Sequence, residues 1–498
     1  MAFLLQLTDG TDTIDFISED FRVEDGGLQI SPPEEVQTWT DPSSAGGAQL
    51  VDHRNGNREI TVSFHIAGAN RTTIRQGINR INAITRAAIQ HSLGLGSKRV
   101  TLKYAWDGVT EVDHFEVLSG QLTLPDDVLS VEKLHTKWGD QFKLRGCQLN
   151  LVVSPTAYGL SPSTDELIEL PLTNRNGTDV TGGLSILPFT DARDIKIYDT
   201  YYIDNYVEIK GAHITGDTPG KLRIQVSSNA NGHDADRFTI GAHVKNNGNL
   251  FFHWADSNVE MLTLGSQFNT TYSLGNSVWR SSTLVKQWSG GLWRIKLTTP
   301  EVYESKKYRV FMTTGYWPFF YPTKVQMQLR VESQMGVLMA EGPIVEQYAS
   351  SSGHALIMDM GVVQLPPHSP KLPTPQDVYL KLYVLGGAEW DYVLTVGHIW
   401  LVPVDSGYRV LRLQNPLSNY ISLYPTVVDD NWNDLAYVTN DFGEKSIAAV
   451  QAMYAPIKLT PGKDHRIYFN FAGHGYVPHN SDIWQVRVFY SPAYTGAV

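Results

Sequence analysis

Apolar and polar residues alternate along segment after segment of this chain, and that pattern constrains its fold more than any other feature. In REITVSFHIAG the apolar positions are Ile60, Val62, Phe64 and Ile66; in KLRIQVSS they are Leu222, Ile224 and Val226. KVQMQLRV repeats the pattern at Val325, Met327 and Leu329, VYLKLYVL at Val378, Leu380, Leu382 and Val384, and IWQVRVFY at Trp484, Val486, Val488 and Tyr490. Successive side chains of a strand point to opposite faces, so each segment offers one apolar and one polar face. Such strands suit antiparallel sheets rather than buried parallel ones. Charged residues make up only 18% of the chain, while 42 glycines and 25 prolines supply turns. The expected fold class is all-β.

One segment departs from this period. TTIRQGINRINAITRAAIQHSLGLG spaces Ile74, Ile78, Ile81, Ile84, Ala88 and Ile89 mostly by three and four, which predicts one amphipathic helix. Thr72 or Thr73 is the expected cap at its start, and Gly94 or Gly96 the expected stop. The opening MAFLLQLTDG lacks the basic start and long apolar stretch of a secretory signal and reads as a first strand.

At 498 residues the chain has length for about three domains. SPTAYGLSPSTDE, rich in Ser, Pro and Thr, follows a strongly apolar strand and marks a linker near 160–166. A weaker boundary falls at YASSSGHA, residues 348–355, and the proline-rich QLPPHSPKLPTP reads as a long surface loop. The expected domains are 1–160, 166–348 and 349–498. The last two share short strands and Gly/Asn/Asp/Pro turns, the pattern of β-sandwiches or jelly rolls.

The formal net charge of −11 comes with no stripe of Lys and Arg, so neither nucleic acid nor an anionic membrane is an expected partner. No run of roughly 18 apolar residues suggests a membrane-spanning helix. The single cysteine, Cys147, lies in CQLNLVV, which alternates like a strand, and is expected to be a buried, inert thiol in a chain made in a reducing cytoplasm. The sequons at Asn70, Asn176 and Asn269 carry no weight without a secretory signal.

Motifs for catalysis are weak. Hydrolysis of a glycoside needs two opposed carboxylates. Asp191, Asp194, Asp204, Asp217, Asp234 and Asp236 stand mostly in turn contexts such as GDTPG, where Asp bonds its own backbone. NGHDADRF offers His233, Asp234 and Asp236, but not the length or terminal acid of a calcium loop. His474 and His479 lie five apart in a glycine-rich loop, which reads as a loop at a subunit contact rather than a metal site. H-E-x-x-H, G-x-S-x-G, the P-loop and G-x-G-x-x-G after a strand are all absent from the sequence. GLGSKR, residues 94–99, follows a helix instead of preceding one and reads as its C-terminal cap. No catalytic residue, metal or cofactor is expected.

GYWPFFYP, residues 315–322, stands out among the rest. Pro318 and Pro322 cannot donate ladder hydrogen bonds, so this is a loop or strand edge between YRVFMTT and KVQMQLRV. Tyr316, Trp317, Phe319, Phe320 and Tyr321 are candidate ligand-binding residues, because a flat ring covers the apolar face of a pyranose. Packing in the core or against a neighbouring subunit is the preferred reading of the same rings, with the sugar platform second and a membrane tip last.

The order of elements in the first 160 residues carries a resemblance. GGLQISPP and a small-residue loop lead into the strand REITVSF, then the helix, then RVTLKYAWDGVTEVDHFEVLSGQLTLPDD, and finally CQLNLVVSPTAYG. This resembles the N-terminal domain of distal tail proteins of long-tailed bacteriophages and related minor tail proteins, with Ser154-Pro155-Thr156-Ala157-Tyr158 matching a family ending. Residues 207–226, 358–405 and 458–494 are similar to strands of phage minor tail proteins; where many of those finish on Pro-Arg-Tyr, this chain has Pro492-Ala493-Tyr494. The resemblance implies a β-barrel-like N-terminal domain with one helix, followed by two sandwich regions pointing outward. It also implies a virion structural protein, not an enzyme, that forms a ring between tail tube and tip complex. The expected partners are other copies of itself, as a hexamer, the tail tube protein, the tail-tip hub or other minor tail proteins, and a host surface glycan. Two alternatives stay open: a non-catalytic carbohydrate-binding adhesion protein and a β-sandwich glycoside hydrolase.

Overall fold

In the computed structural model the alternating segments are strands, and among the described residues all regular structure except one α-helix and one short 3-10 turn is β. The structure describes residues 3–40, 49–96, 98–105, 112–125, 131–136, 139–161, 166–174, 176–187, 196–197, 201–202, 205–228, 235–245, 251–253, 258–262, 269–274, 277–284, 288–297, 307–314, 323–349, 356–365, 377–389, 392–396, 398–414, 426–440, 442–447, 449–472 and 483–495. By contacts the chain divides into two units. Met1–Ile168, Thr215–Lys221 and Ser491–Val498 form the first, and Glu169–Ile214 with Leu222–Tyr490 form the second.

The first unit is built on the strand Gly139–Leu160, which pairs Arg58–Gly68 on one side and Val112–Thr123 on the other. Leu149 stands between Val62 and Leu122 in this ladder. The sheet continues through Thr101–Ala105 and Leu4–Thr8 to Thr13–Asp15. It does not close into a barrel among the described residues. The helix Arg71–Ser92 buries Ile74, Gly77, Ile81, Ile84, Thr85 and Ala88 against it. Gly77 admits Ile66 and Phe21, whose nearest atoms stand 3.1 Å from where a Cβ would be, and Gly120 admits the Thr85 side chain.

Four details bear on the expectations for this unit. The helix cap is Asn70, not Thr72 or Thr73: its Oδ1 accepts from the Thr73 backbone N at 2.9 Å. Ile89 is 40% exposed, because the apolar stripe runs through Ala88 and a residue one position further round the helix turns away. Gly94, at φ 71°, does end the helix. Cys147 is fully buried, and burial pushes its thiol up to about 12, so it is an inert core thiol.

Chain ends meet within this unit. Ala157 pairs Tyr494 and Tyr158 pairs Ala493, and the Ser491 hydroxyl donates to the Gly159 carbonyl at 2.9 Å. The Asp217 carboxylate accepts from the Thr495 backbone N at 2.7 and 2.9 Å.

The second unit holds two sandwiches, one nested in the other. In the outer one a sheet runs in the order Asp179–Val180, Leu172–Thr173, Tyr206–Ile209, His465–Ala472, Arg237–Val244, Tyr408–Leu413, Val450–Met453. Val207, Ile209, Phe238, Ile240, Leu411, Phe469 and Phe471 of this sheet share one core with Ile186, Leu222, Ile224, Val226, Val427, Val438, Trp484 and Val486 of the facing strands. The inserted sandwich stacks the strands Phe251–His253, His398–Pro403, Lys307–Thr314, Leu356–Gln364 on Val259–Met261, Gly290–Leu297, Val378–Gly386, Thr323–Ser333, Leu338–Ala349. Its core joins Tyr308, Val310, Met312, Met358, Ile399 and Leu401 to Trp293, Ile295, Met327, Leu329, Leu380 and Leu382. Strands on both sides of residues 348/349 belong to this inserted sandwich.

Arg237–Val244 is covered on both faces. Phe238, Ile240 and Ala242 point into the outer core. Thr239, Gly241 and His243 point the other way, and the two faces together leave all six buried. A third small core joins the sandwiches here, formed by Phe311, Ile357, Trp400 and Val402 with Tyr408, Val410 and Tyr468. The Trp400 ring and Val402 pass so close to Gly241 that a Cβ there would stand 2.8 and 2.9 Å from them. Gly241→Ala is therefore expected to overpack this junction and lower stability by about 1–3 kcal/mol, read by denaturant unfolding. Unchanged stability would contradict the junction as described.

Candidate functional site

The junction between the two sandwiches of the second unit contains a cleft of about 170 Å³, lined by Arg237, Thr239, Phe311, Ile357, Asp359, Val410, Met453 and Tyr454. Ladder register supplies its floor. Thr239 pairs Asn470 on one side and Val410 on the other, and Val410 pairs Met453, so these four form a row across the seven-stranded sheet. Two residues along on the same face, Arg237 stands directly opposite Arg412. The roof comes from the inserted sandwich, where Phe311 pairs Asp359 and Thr313 pairs Ile357.

An arginine sets the rigid wall of this cleft. Arg309 Nε donates to both Asp359 carboxylate oxygens, at 2.9 and 2.8 Å, and a second nitrogen also reaches the Asp359 carboxylate. Its other donors reach the phenol oxygens of Tyr408 at 2.7 Å and Tyr454 at 2.9 Å. The Tyr454 hydroxyl donates to Asp359 at 2.8 Å, and the Gly361 backbone N donates to the other carboxylate oxygen at 2.9 Å. The guanidinium also lies over the Tyr454 ring at 4.2 Å and near the Tyr408 ring at 5.2 Å. Burial, then the hydrogen bond to Asp359, pushes the Tyr454 phenol up to about 12, so it stays a neutral donor.

Tyr454 adopts φ 73°, a left-handed conformation that costs a side-chain-bearing residue about 1–3 kcal/mol. Two contacts hold it there. Its hydroxyl is fixed by Arg309 and Asp359, and its carbonyl accepts from Arg409 at 2.6 Å. Arg409 is anchored by the buried carboxylate of Asp429 at 3.2 Å.

Polar atoms without partners gather on the floor. Thr239 Oγ1 and Asn470 Oδ1 are buried and have no hydrogen-bond partner among the described residues. Neither Arg237 nor Arg412 has a carboxylate within ion-pair distance among the described residues. The two buried atoms are costly unless something else pairs with them, whereas Arg237 is half-buried and Arg412 exposed to solvent.

The acidic group of the cleft is already engaged. Asp359 is its one carboxylate among the described lining residues, and Arg309, Tyr454 and Gly361 occupy it. A glycoside hydrolase needs a second carboxylate across the bond.

The aromatic candidates Tyr316, Trp317, Phe319, Phe320 and Tyr321 lie outside the described residues, as do His233, Asp234, His474, His479, Asp191, Asp194 and Asp204. Their segment, 315–322, joins Lys307–Thr314 of one sheet to Thr323–Ser333 of the other in the inserted sandwich. Asp217 holds the Thr495 backbone rather than a reactive position. The cleft residues were not singled out by sequence. The one local signal was RFTIGAHV, a strand in which a polar residue, a glycine and a histidine share the face opposite an apolar one.

No family model matches the chain, and no curated protein matches it. Among solved structures the chain is similar to the SPP1 Dit protein, a hub adsorption apparatus protein of Gram-positive-infecting phages. That likeness has 9% identity and a TM-score of 0.24, covering 80% of this chain and 100% of that one. It is also similar to chains of the phage P2 baseplate in its activated conformation, with Ca and with Sr. Each of these has 10% identity and a TM-score of 0.19, covering 80% of this chain and 98% of that one.

His243, on the same strand as Thr239, gives the junction a pH dependence. It stacks on Tyr468 at 5.1 Å and bonds the Val244 carbonyl through Nδ1, while its Nε2 is buried without a partner among the described residues. Burial, with Arg466 and His465 nearby, holds its pKa down at about 4, against 6.5 when exposed; the hydrogen bond to the Val244 carbonyl and, less, Glu208 oppose this. A depressed pKa means that the unfolded chain binds more protons between these values. The contribution is therefore full above pH 6.5 and lost as pH falls toward 4. Between pH 7.5 and 4.5 the parent is expected to lose about 2–3 kcal/mol more than His243→Phe, read from unfolding curves of both proteins at both pH values. Equal losses would place the acid sensitivity elsewhere.

Proposed function

We propose that this chain is a structural protein of a bacteriophage tail tip whose first unit assembles into a ring, probed best as a hexamer, between tail tube and tip complex. The observation that carries the reading is the meeting of two motifs. SPTAY, which resembles the close of the distal-tail domain, and the end of segment 458–494, which is similar to the C-terminal hairpin of minor tail proteins although it has Pro-Ala-Tyr for their Pro-Arg-Tyr, are neighbours in one ladder: Ala157 pairs Tyr494 and Tyr158 pairs Ala493. A helix on an open sheet in the same unit matches the order that the resemblance implies.

The domain organisation follows from the same point. Residues 1–160 with the two returning segments supply the assembly unit, and the long excursion between them supplies the sandwiches. Its partners in the virion are the tail tube protein and the hub. The sandwiches take the host-facing role, with Tyr316, Trp317, Phe319, Phe320 and Tyr321 as the proposed sugar-stacking loop. Closed rings follow when a head-to-tail contact repeats with a rotation that closes.

Electron microscopy of the full-length protein, class-averaged across a concentration series, tests this. Rings of one symmetry are expected. A monomer up to about 100 µM by mass measurement, with no ring classes, would remove the assembly role.

A further inference from the structure

We infer that the junction cleft binds a small hydroxylated organic anion, the size of one sugar ring bearing a carboxylate or a phosphate. This stands apart from the ring reading, since it concerns the second unit alone. Three independent features of the cleft select that chemistry.

The first is unpaired positive charge. Arg237 lines the cleft and faces Arg412 directly across the ladder, with no carboxylate partner for either among the described residues. Like charges placed opposite one another on a sheet repel, and an oxyanion between or beside them removes that cost. A guanidinium presents paired N–H donors that match a carboxylate or phosphate.

The second is an unpaired hydroxyl. Thr239 Oγ1 is fully buried, lines the cleft and has no partner among the described residues, with Asn470 Oδ1 beside it in the same row. A ligand hydroxyl can donate to one and accept from the other. A buried threonine hydroxyl, unlike the isosteric valine methyl, needs a polar partner, which a hydroxylated ligand supplies.

The third is shape. Phe311, Ile357, Val410 and Met453 give apolar walls for the C–H face of a ring, while the Arg309–Asp359–Tyr454 network holds one side rigid. The volume of about 170 Å³ is below the roughly 300 Å³ at which drug-sized pockets begin, so a single ring fits and an oligosaccharide does not.

The test uses the full-length protein with three probes: glucuronate, glucose 6-phosphate and neutral glucose, titrated by calorimetry and by ligand-observed NMR. Saturable binding of one or both anionic probes is expected, with neutral glucose at least tenfold weaker. The carboxylate and phosphate arms then say which acid group is preferred. Thr239→Val and Arg237→Gln should each weaken the anionic probe tenfold or more. Thr239→Val should also melt at or above the parent temperature, because it removes an unpaired buried hydroxyl without changing volume. Absence of saturable binding by either anionic probe at tens of millimolar would overturn the inference, leaving solvent as the occupant. So would binding that both folded variants retain unchanged.

Discussion

The first unit depends on one buried guanidinium. Arg58 has no exposed surface, and it donates from Nε to the Pro155 carbonyl at 2.7 Å and from a second nitrogen to the Thr495 carbonyl. Burial lowers its hold on its proton, and the charges of Asp217 and Asp113 oppose that. A charge this deep is tolerated only when acceptors surround it. The acceptors here come from residues far apart in sequence, and Asp217 in turn fixes the Thr495 backbone. The unit is therefore complete only when residue 495 has arrived, so the second unit is an excursion in a chain already tied at both ends. Contacts of such sequence separation are slow to form, because loop closure precedes their reward.

A different constraint governs the second unit. Arg237–Val244 is sandwiched on both faces, and so its outward positions had to become small, polar or flat: Thr239, Gly241, His243. Gly241 lets Trp400 in, and His243 stacks on Tyr468. Only a few residues join the last inserted strand, His398–Pro403, to Tyr408–Leu413 of the outer sheet. Gly407 among them, at φ 80°, sits against the Pro456 carbonyl where no Cβ could stand. A short tether and a packed junction make the two sandwiches one body at this point, and the cleft is the space their curved sheets leave unfilled.

Much of this was legible from sequence, and what was not has a physical reason. Period-2 alternation is local, so the strands at Ile60–Ile66, Leu222–Val226 and Trp484–Tyr490 could be read directly. The helix was equally plain, though the pattern named Thr72 or Thr73 where Asn70 caps, since capping depends on the backbone entering the first turn and not on residue type alone. Strand partners are a different matter. Thr239 pairs Val410 and Asn470 across more than half the second unit, and no local pattern encodes which remote strand lies alongside. Nesting was invisible for the same reason, and so was a site assembled from single residues on strands that far apart. The aromatic run drew notice because its residues are contiguous; contiguity is what sequence displays best.

The left-handed Tyr454 connects these constraints. Its strain would relax if either the Arg309–Asp359 pair on the inserted sandwich or the Arg409–Asp429 pair on the outer one let go, so both must hold at once. Each pair is largely shielded from water, where breaking one partner leaves an uncompensated charge. The residue therefore works as a latch between the cores of the two sandwiches, at the wall of the cleft. A ligand there would meet side chains already fixed by both sandwiches, with little conformational entropy left to lose on binding. Strain held by two opposing ion pairs therefore sits beside Thr239 Oγ1 and Asn470 Oδ1, buried atoms that have no partner among the described residues.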